Sequence, residues 1–195
     1  MYPFVETLRI SDGCIERMAL HTERMNRTRR VFYPDAPLLD LADVLVPPVS
    51  GDVLKGRVTY GAIFGEITNT PYRIRPENCL RLVVDDAMDY TNKRTDRSVL
   101  EAAFACRDGA DDVLIVRRGL LTDTSIGNVA LLRDGAWLTP RSPLLAGTRR
   151  AALLAEGVIT EADVWQIELS SFQKLRVFNA MIPWGAIEIS VTNLL

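Results

Sequence analysis

Asp134-Gly135, set between the apolar runs Val129–Leu132 and Trp137–Thr139, is the most restrictive local signal in this chain. A tight turn that matches the twist of paired strands needs positive φ at its centre, which Asp and Gly tolerate, so the two runs are predicted to form an antiparallel hairpin. Arg117-Arg118-Gly119 likewise turns the buried-strand run Val113–Val116 into Leu120–Asn128. Phe4–Ile10 alternates as a strand and meets turn chemistry at Ser11-Asp12-Gly13. Val53–Tyr60, Ile63–Ile74 and Leu80–Asp85, punctuated by Gly61, Gly65 and Pro76, read as an antiparallel meander, and Val177–Met181 and Ala186–Val191 as closing strands. Helical spacing intervenes at Arg17–Phe32, at Leu38–Val46 ahead of Pro47-Pro48, at Ser98–Cys106, at Gly147–Glu156 and at Leu169–Leu175. The helix over Ser98–Cys106 should bury Val99, Ala102, Ala103 and Cys106. Hairpins mixed with helices point to an α+β fold rather than a doubly wound sheet. A boundary near Asp86–Thr91 divides it into a small N-terminal lobe, residues 1–88, and a larger lobe, residues 89–195.

Composition narrows the function. A net charge of -2 offers no electrostatic footprint for nucleic acid or an anionic membrane, and Arg27–Arg30 reads as a solvated helix face. Cys14, Cys79 and Cys106 have neither disulfide-framework nor zinc-site spacing, which indicates a reducing compartment and no metal. His21 is the only histidine, so it is expected to be structural and no histidine-based triad can form within one chain. The N-terminus has no signal-peptide pattern and no apolar run is long enough for a bilayer, so a cytoplasmic location is expected.

A few residues invite chemistry. Lys93, flanked by Arg94 and Arg97 between a strand pattern and a helix pattern, is either a solvated lysine at a helix start, the reading its position alone favours, or one whose desolvation and neighbouring cations favour the neutral, nucleophilic amine. Gly147-Thr148-Arg149 opens a helix, whose N-terminal amides and dipole favour a phosphate. Arg24 could add a forked contact to such a group. Asp123, five residues before Asn128, is a strand carboxylate followed by small and polar residues, or a turn or cap residue. Arg57 and Tyr60 are the candidates for substrate contact, because an arginine on a small-lobe strand can grip a carboxylate.

Taken in order, Lys93, Leu121-Thr122-Asp123-Thr124-Ser125-Ile126-Gly127-Asn128, Leu138-Thr139-Pro140 and Leu144-Leu145-Ala146-Gly147-Thr148-Arg149-Arg150 resemble the class IV aminotransferases. This is the fold-type IV group of pyridoxal-phosphate enzymes, which includes branched-chain and D-amino-acid aminotransferases and aminodeoxychorismate lyase. Phe4-Val5-Glu6-Thr7, Asp12-Gly13 and His21–Arg24 resemble the family's N-terminal signature, and Phe178-Asn179-Ala180-Met181-Ile182-Pro183 its lyase branch. The resemblance implies a two-lobed fold, shortened in the N-terminal lobe, with pyridoxal 5'-phosphate as cofactor. It makes Lys93 the aldimine lysine and general base, and it gives the phosphate to Arg24, Thr148, Arg149, Asn179 and Ala180. Leu145 would pack on the ring and Asp123, where the family has glutamate, would pair with the pyridine nitrogen. Arg97 stands where aminotransferases carry tyrosine, another likeness to the lyase, and is placed near the substrate. The implied activity is amino transfer between a small amino acid and a 2-oxo acid. The alternatives are release of pyruvate from aminodeoxychorismate to form 4-aminobenzoate, and cofactor binding without turnover. A homodimer follows from the resemblance alone.

Overall fold

The computed structural model describes residues 2–47 and 51–195. The chain forms two compact units, one of Met1–Ile74 with Asn92–Asp96 and one of Arg75–Thr91 with Arg97–Leu195.

In the first unit, strand β1 (Phe4–Ser11) turns through Asp12 and Gly13, at φ 52° and 71°, into β2 (Cys14–Ile15). Helix α1 (Met18–Phe32) follows, and β3 (Leu54–Tyr60) and β4 (Phe64–Pro71) complete an antiparallel sheet in the order β2-β1-β3-β4. Phe4, Leu8, Met25, Leu41, Val58 and Tyr60 pack as its core. Of the buried residues of α1 only Met25 is apolar, and the polar ones work as clamps. Arg29, expected on a solvated helix face, is instead 2% exposed, because it donates to the carbonyls of Gly61 (3.1 Å) and Ala62 (2.7 Å) and closes the β3–β4 turn. Asn26 holds both backbone groups of Leu39, at 2.7 and 3.1 Å. That grip keeps the chain extended there, so the helix expected over Leu38–Val46 shrinks to one 3-10 turn, Leu41–Asp43, capped by Asp40. Pro48, expected to end it, lies outside the described residues. Asn92–Asp96 runs beside β1, with Val5 N–H donating to the carbonyl of Lys93 (3.0 Å) and Thr95 N–H to that of Pro3 (2.8 Å).

The second unit begins with β5 (Leu80–Val84), α2 (Ser98–Ala105) and β6 (Asp112–Arg117). β5 pairs in parallel with β6, from Leu80 beside Asp112 to Val84 beside Val116, and so does not extend the expected meander. Alternation along a strand is blind to its partner, whereas a helical connection is what a parallel pair requires. Helix α2 buries Leu100 and Ala103 against Val113 and Ile115, while Val99, Ala102 and Cys106 face solvent, so its inward stripe is displaced from the expected one. β7 (Leu120–Thr124), β8 (Asn128–Arg133) and β9 (Ala136–Pro140) continue antiparallel. Asp134 and Gly135 at φ 51° and 79° make the expected hairpin turn. Helix α3 (Thr148–Ala155) leads to β10 (Thr160–Ala162), a short strand parallel to β9 that has too few residues to show a period. β11 (Lys174–Phe178) pairs with both β8 and β12 (Ile187–Ser190). The helix expected over Leu169–Leu175 is instead a 3-10 segment, Gln166–Ser171, because Leu175 and Val177 alternate inward on β11 with no exposure.

Candidate active site

The site is built around the β7–β8 hairpin. Thr124 N–H donates to the carbonyl of Gly127 (2.8 Å), and Gly127 N–H donates to the Thr124 hydroxyl (3.0 Å). This closure brings Asp123 into register with Asn128, so their five-residue spacing is a cross-strand pairing. Asp123 is 4% exposed, and its carboxylate accepts from Leu145 N–H at 2.8 Å and from the Asn128 amide at 2.9 Å. Burial pushes its carboxyl up to about 7, and the Leu145 and Asn128 hydrogen bonds only partly oppose that. The same Asn128 amide also donates to the carbonyl of Leu145 (2.8 Å). Gly147 has an ordinary extended backbone, φ -71° and ψ 146°, so its glycine is required by space. A Cβ there would lie 2.1 Å from Asn128 Oδ1.

Gly147 caps α3, whose first turn carries no acidic residue. Thr148 is buried, Arg149 half-buried, and Arg150 turns away to the carbonyl of Pro140 and to Glu161, both at 2.8 Å. The helix presents its positive end with Thr148 and Arg149, an arrangement that suits an anion. Asn179 Oδ1 accepts from Met181 and Ile182 N–H (2.7 and 2.9 Å), while its amide donates to the carbonyl of Ile126 (2.9 Å). Asn179 and Ala180 are thereby tied to the β7–β8 turn, as is Arg97, which donates to the carbonyl of Ser125 (2.9 Å). Leu145 is half-buried against the core that contains Tyr90 and Leu144.

The first unit holds a second polar cluster. Arg24 donates through Nε and Nη2 to the two carboxylate oxygens of Glu6, at 3.0 and 2.5 Å. Burial by itself would raise the Glu6 carboxyl, but the Arg24 charge and the His21 hydrogen bond outweigh it and hold the group at about 2. Against an ionised acceptor, His21 Nδ1–H is the donor, at 2.6 Å from Glu6. Burial holds the imidazole below its ordinary value, in opposition to Glu6. Lys93 is half-buried on Asn92–Asp96. Arg57 is half-buried on β3, opposite Thr7 and Thr68. Tyr60, 1% exposed, belongs to the first unit's core, and burial raises its hydroxyl.

Two linking residues do not stand out in the sequence. Glu6 shows there only within a signature, although its place on a buried-side strand upstream of a helix bearing His21 and Arg24 is a usable signal. Asn128 reads there as a strand-end residue or one that supports the reacting groups without itself reacting, whereas Ser125-Ile126-Gly127 before it is the sign of a turn.

Residues 60–189 match the family described as amino-transferase class IV. An uncharacterized protein of Haemophilus influenzae is 34% identical over 185 residues, which are 93% of this chain and 98% of that protein. The solved structure of a candidate 4-amino-4-deoxychorismate lyase from Haemophilus somnus superimposes with a TM-score of 0.88 at 28% identity, covering 93% of this chain and 97% of that one. That of a candidate amino-acid aminotransferase from Mesorhizobium loti does so with a TM-score of 0.79 at 25% identity, covering 98% and 99%. Matched over most of its length in sequence and in fold, the chain belongs to the class IV aminotransferase family.

Proposed function

We propose that this chain is a pyridoxal 5'-phosphate enzyme that works on the amino group of a small amino acid, passing it to a 2-oxo acid. The observation that carries the reading is Asp123, a buried carboxylate aimed by two hydrogen bonds and adjoining a helix start suited to an anion. A phosphorylated pyridine needs both features, an acid for its ring nitrogen and a cradle for its phosphate, so the residues present fit the cofactor. When bound, the ring supplies an electron sink for negative charge at the substrate Cα.

The remaining roles belong to the chain's own residues. Asp123 holds a proton at the ring nitrogen. Thr148 and Arg149, with Asn179 and Ala180, bind the phosphate, and Leu145 packs on the ring. Lys93 carries the cofactor through its amine and moves the proton at Cα. Glu6 orients Arg24, the phosphate ligand that the family pattern assigns to the first unit. Arg57 and Arg97 are proposed for the substrate carboxylate. The enzyme works in the cytoplasm as a homodimer, and sedimentation of the purified protein checks the dimer. Among the described residues no helix is long and apolar enough to cross a membrane.

A lyase reading is favoured by the Haemophilus somnus likeness together with Asn179-Ala180-Met181-Ile182-Pro183. It uses the same residues to release pyruvate from aminodeoxychorismate. The deciding experiment records the visible spectrum of the purified protein before and after borohydride, beside Lys93→Ala. A colourless wild type, or a band that survives Lys93→Ala, refutes the reading. Pyruvate formed from aminodeoxychorismate without an amino acceptor selects the lyase, and transfer to a 2-oxo acid selects the transaminase.

A further inference from the structure

Asn128 joins the two halves of the second unit's cluster, the Asp123 carboxylate and the turn that opens α3. Its amide nitrogen donates to the Asp123 carboxylate (2.9 Å) and to the carbonyl of Leu145 (2.8 Å), and Leu145 N–H closes the loop on Asp123 (2.8 Å). On its other side, Oδ1 fills the space a Cβ of residue 147 would occupy. Asn128 is 4% exposed and held in strand register between Asp123 on β7 and Phe178 on β11, so neither its backbone nor its side chain can retreat cheaply. A side chain in these contacts joins the ring-nitrogen acid to the helix start two residues beyond Leu145.

We propose that Asn128 is the positioning residue of this site, locking Asp123 and the Gly147 turn into one rigid piece so that ring and phosphate contacts are presented at a fixed separation. The inference rests on the pyridoxal-phosphate reading for its purpose, but its geometry belongs to the protein alone. Asn128 exchanges no atoms with the cofactor and acts through Asp123 and Gly147.

The test is a double-mutant cycle between Asn128→Ala and Gly147→Ala, read by equilibrium dissociation of pyridoxal 5'-phosphate and by thermal unfolding of the cofactor-free protein. Losing a hydrogen bond to a charged acceptor is expected to weaken cofactor binding on the order of tenfold in Asn128→Ala. Gly147→Ala alone should weaken it by at least about as much, through the clash with Asn128 Oδ1, and should cost less than about threefold once Asn128→Ala has removed that oxygen. Removing the Asn128 donor should also move the pH at which Asp123 ionises upward, since that bond favours the charged form. Asn128→Ser, which keeps a smaller polar group, repeats the measurement if the alanine variant does not fold. Wild-type affinity and an unmoved ionisation in the Asn128 variants, or an equal Gly147→Ala penalty in both backgrounds, overturns the inference. If the wild type binds no cofactor the functional reading fails, yet the thermal cycle and the ionisation shift still decide the positioning role.

Discussion

The substitution Asp123→Asn should remove one large pH-dependent contribution to the stability of the fold. The wild-type carboxyl rises from 3.8 in the unfolded chain to about 7 in the fold, chiefly through burial. A raised folded value means that the native state binds its proton more tightly. The stability this contributes is fully present below pH 3.8 and is lost as pH rises through about 7. At about 1.4 kcal/mol per pH unit, the whole loss approaches ~4 kcal/mol, of which about 3 kcal/mol falls between pH 5 and pH 8. The introduced amide would keep the shape and the bond from Leu145 N–H, but its nitrogen would face that of Asn128, costing about 1 kcal/mol at any pH. That constant cancels when two pH values are compared. Urea unfolding of cofactor-free protein should therefore show the variant gaining about 3 kcal/mol on wild type from pH 5 to pH 8. The tryptophans, Trp137, Trp165 and Trp184, all lie in the second unit and report its unfolding. Parallel pH curves for the two proteins would refute the reasoning. Saturating pyridoxal 5'-phosphate should shrink the difference, because a protonated ring nitrogen favours the ionised carboxylate.

Three further substitutions probe the rest of the molecule. Glu77 is 3% exposed, neither carboxylate oxygen accepts a hydrogen bond, and Arg75 stands 3.8 Å away. Burial, and then Asp112, push its carboxyl up to about 7, so Glu77→Gln should gain stability over wild type as pH rises from 4.5 through about 7, measured by the same urea titration. Glu6 is the opposite case: held at about 2, it contributes stability above pH 4.5 that is lost as pH falls through about 2. Glu6→Gln should cost on the order of 3 kcal/mol at pH 7, because Arg24 loses its buried counter-charge, and calorimetry should find the deficit closing in acid. Gly127→Ala would set a Cβ 2.9 Å from the carbonyl of Phe178 and should lower the unfolding midpoint by an amount equivalent to about 1–3 kcal/mol.

The parts of the fold legible in the sequence are those whose cause is local. Asp12-Gly13, Arg118-Gly119 and Asp134-Gly135 all sit at positive φ, because such turns demand it whatever surrounds them. The parts that escape depend on distant partners. Leu38–Val46 has helical spacing, yet Asn26 takes the backbone of Leu39 and the helix does not form. Leu80–Val84 alternates equally well for either neighbour, and α2 decides that its neighbour is β6.

The same division runs through the candidate site and explains the shorter acid in it. Gly147-Thr148 at a helix start is visible because capping is local, whereas the meaning of Asp123 needs a hairpin, a strand register and a loop 22 residues further on. An aspartate carries its carboxylate closer to the backbone than a glutamate does, which brings it within reach of Leu145 N–H and of its cross-strand partner Asn128. Each carboxylate oxygen can accept more than one hydrogen bond, so these two contacts fix the group while leaving acceptor capacity. The shorter side chain has fewer torsions to freeze, and the surrounding bonds freeze those it has. A residue that looks like a conservative loss of one methylene thus arrives with a hairpin partner, a glycine that makes room for that partner, and a buried ionisation near neutral pH.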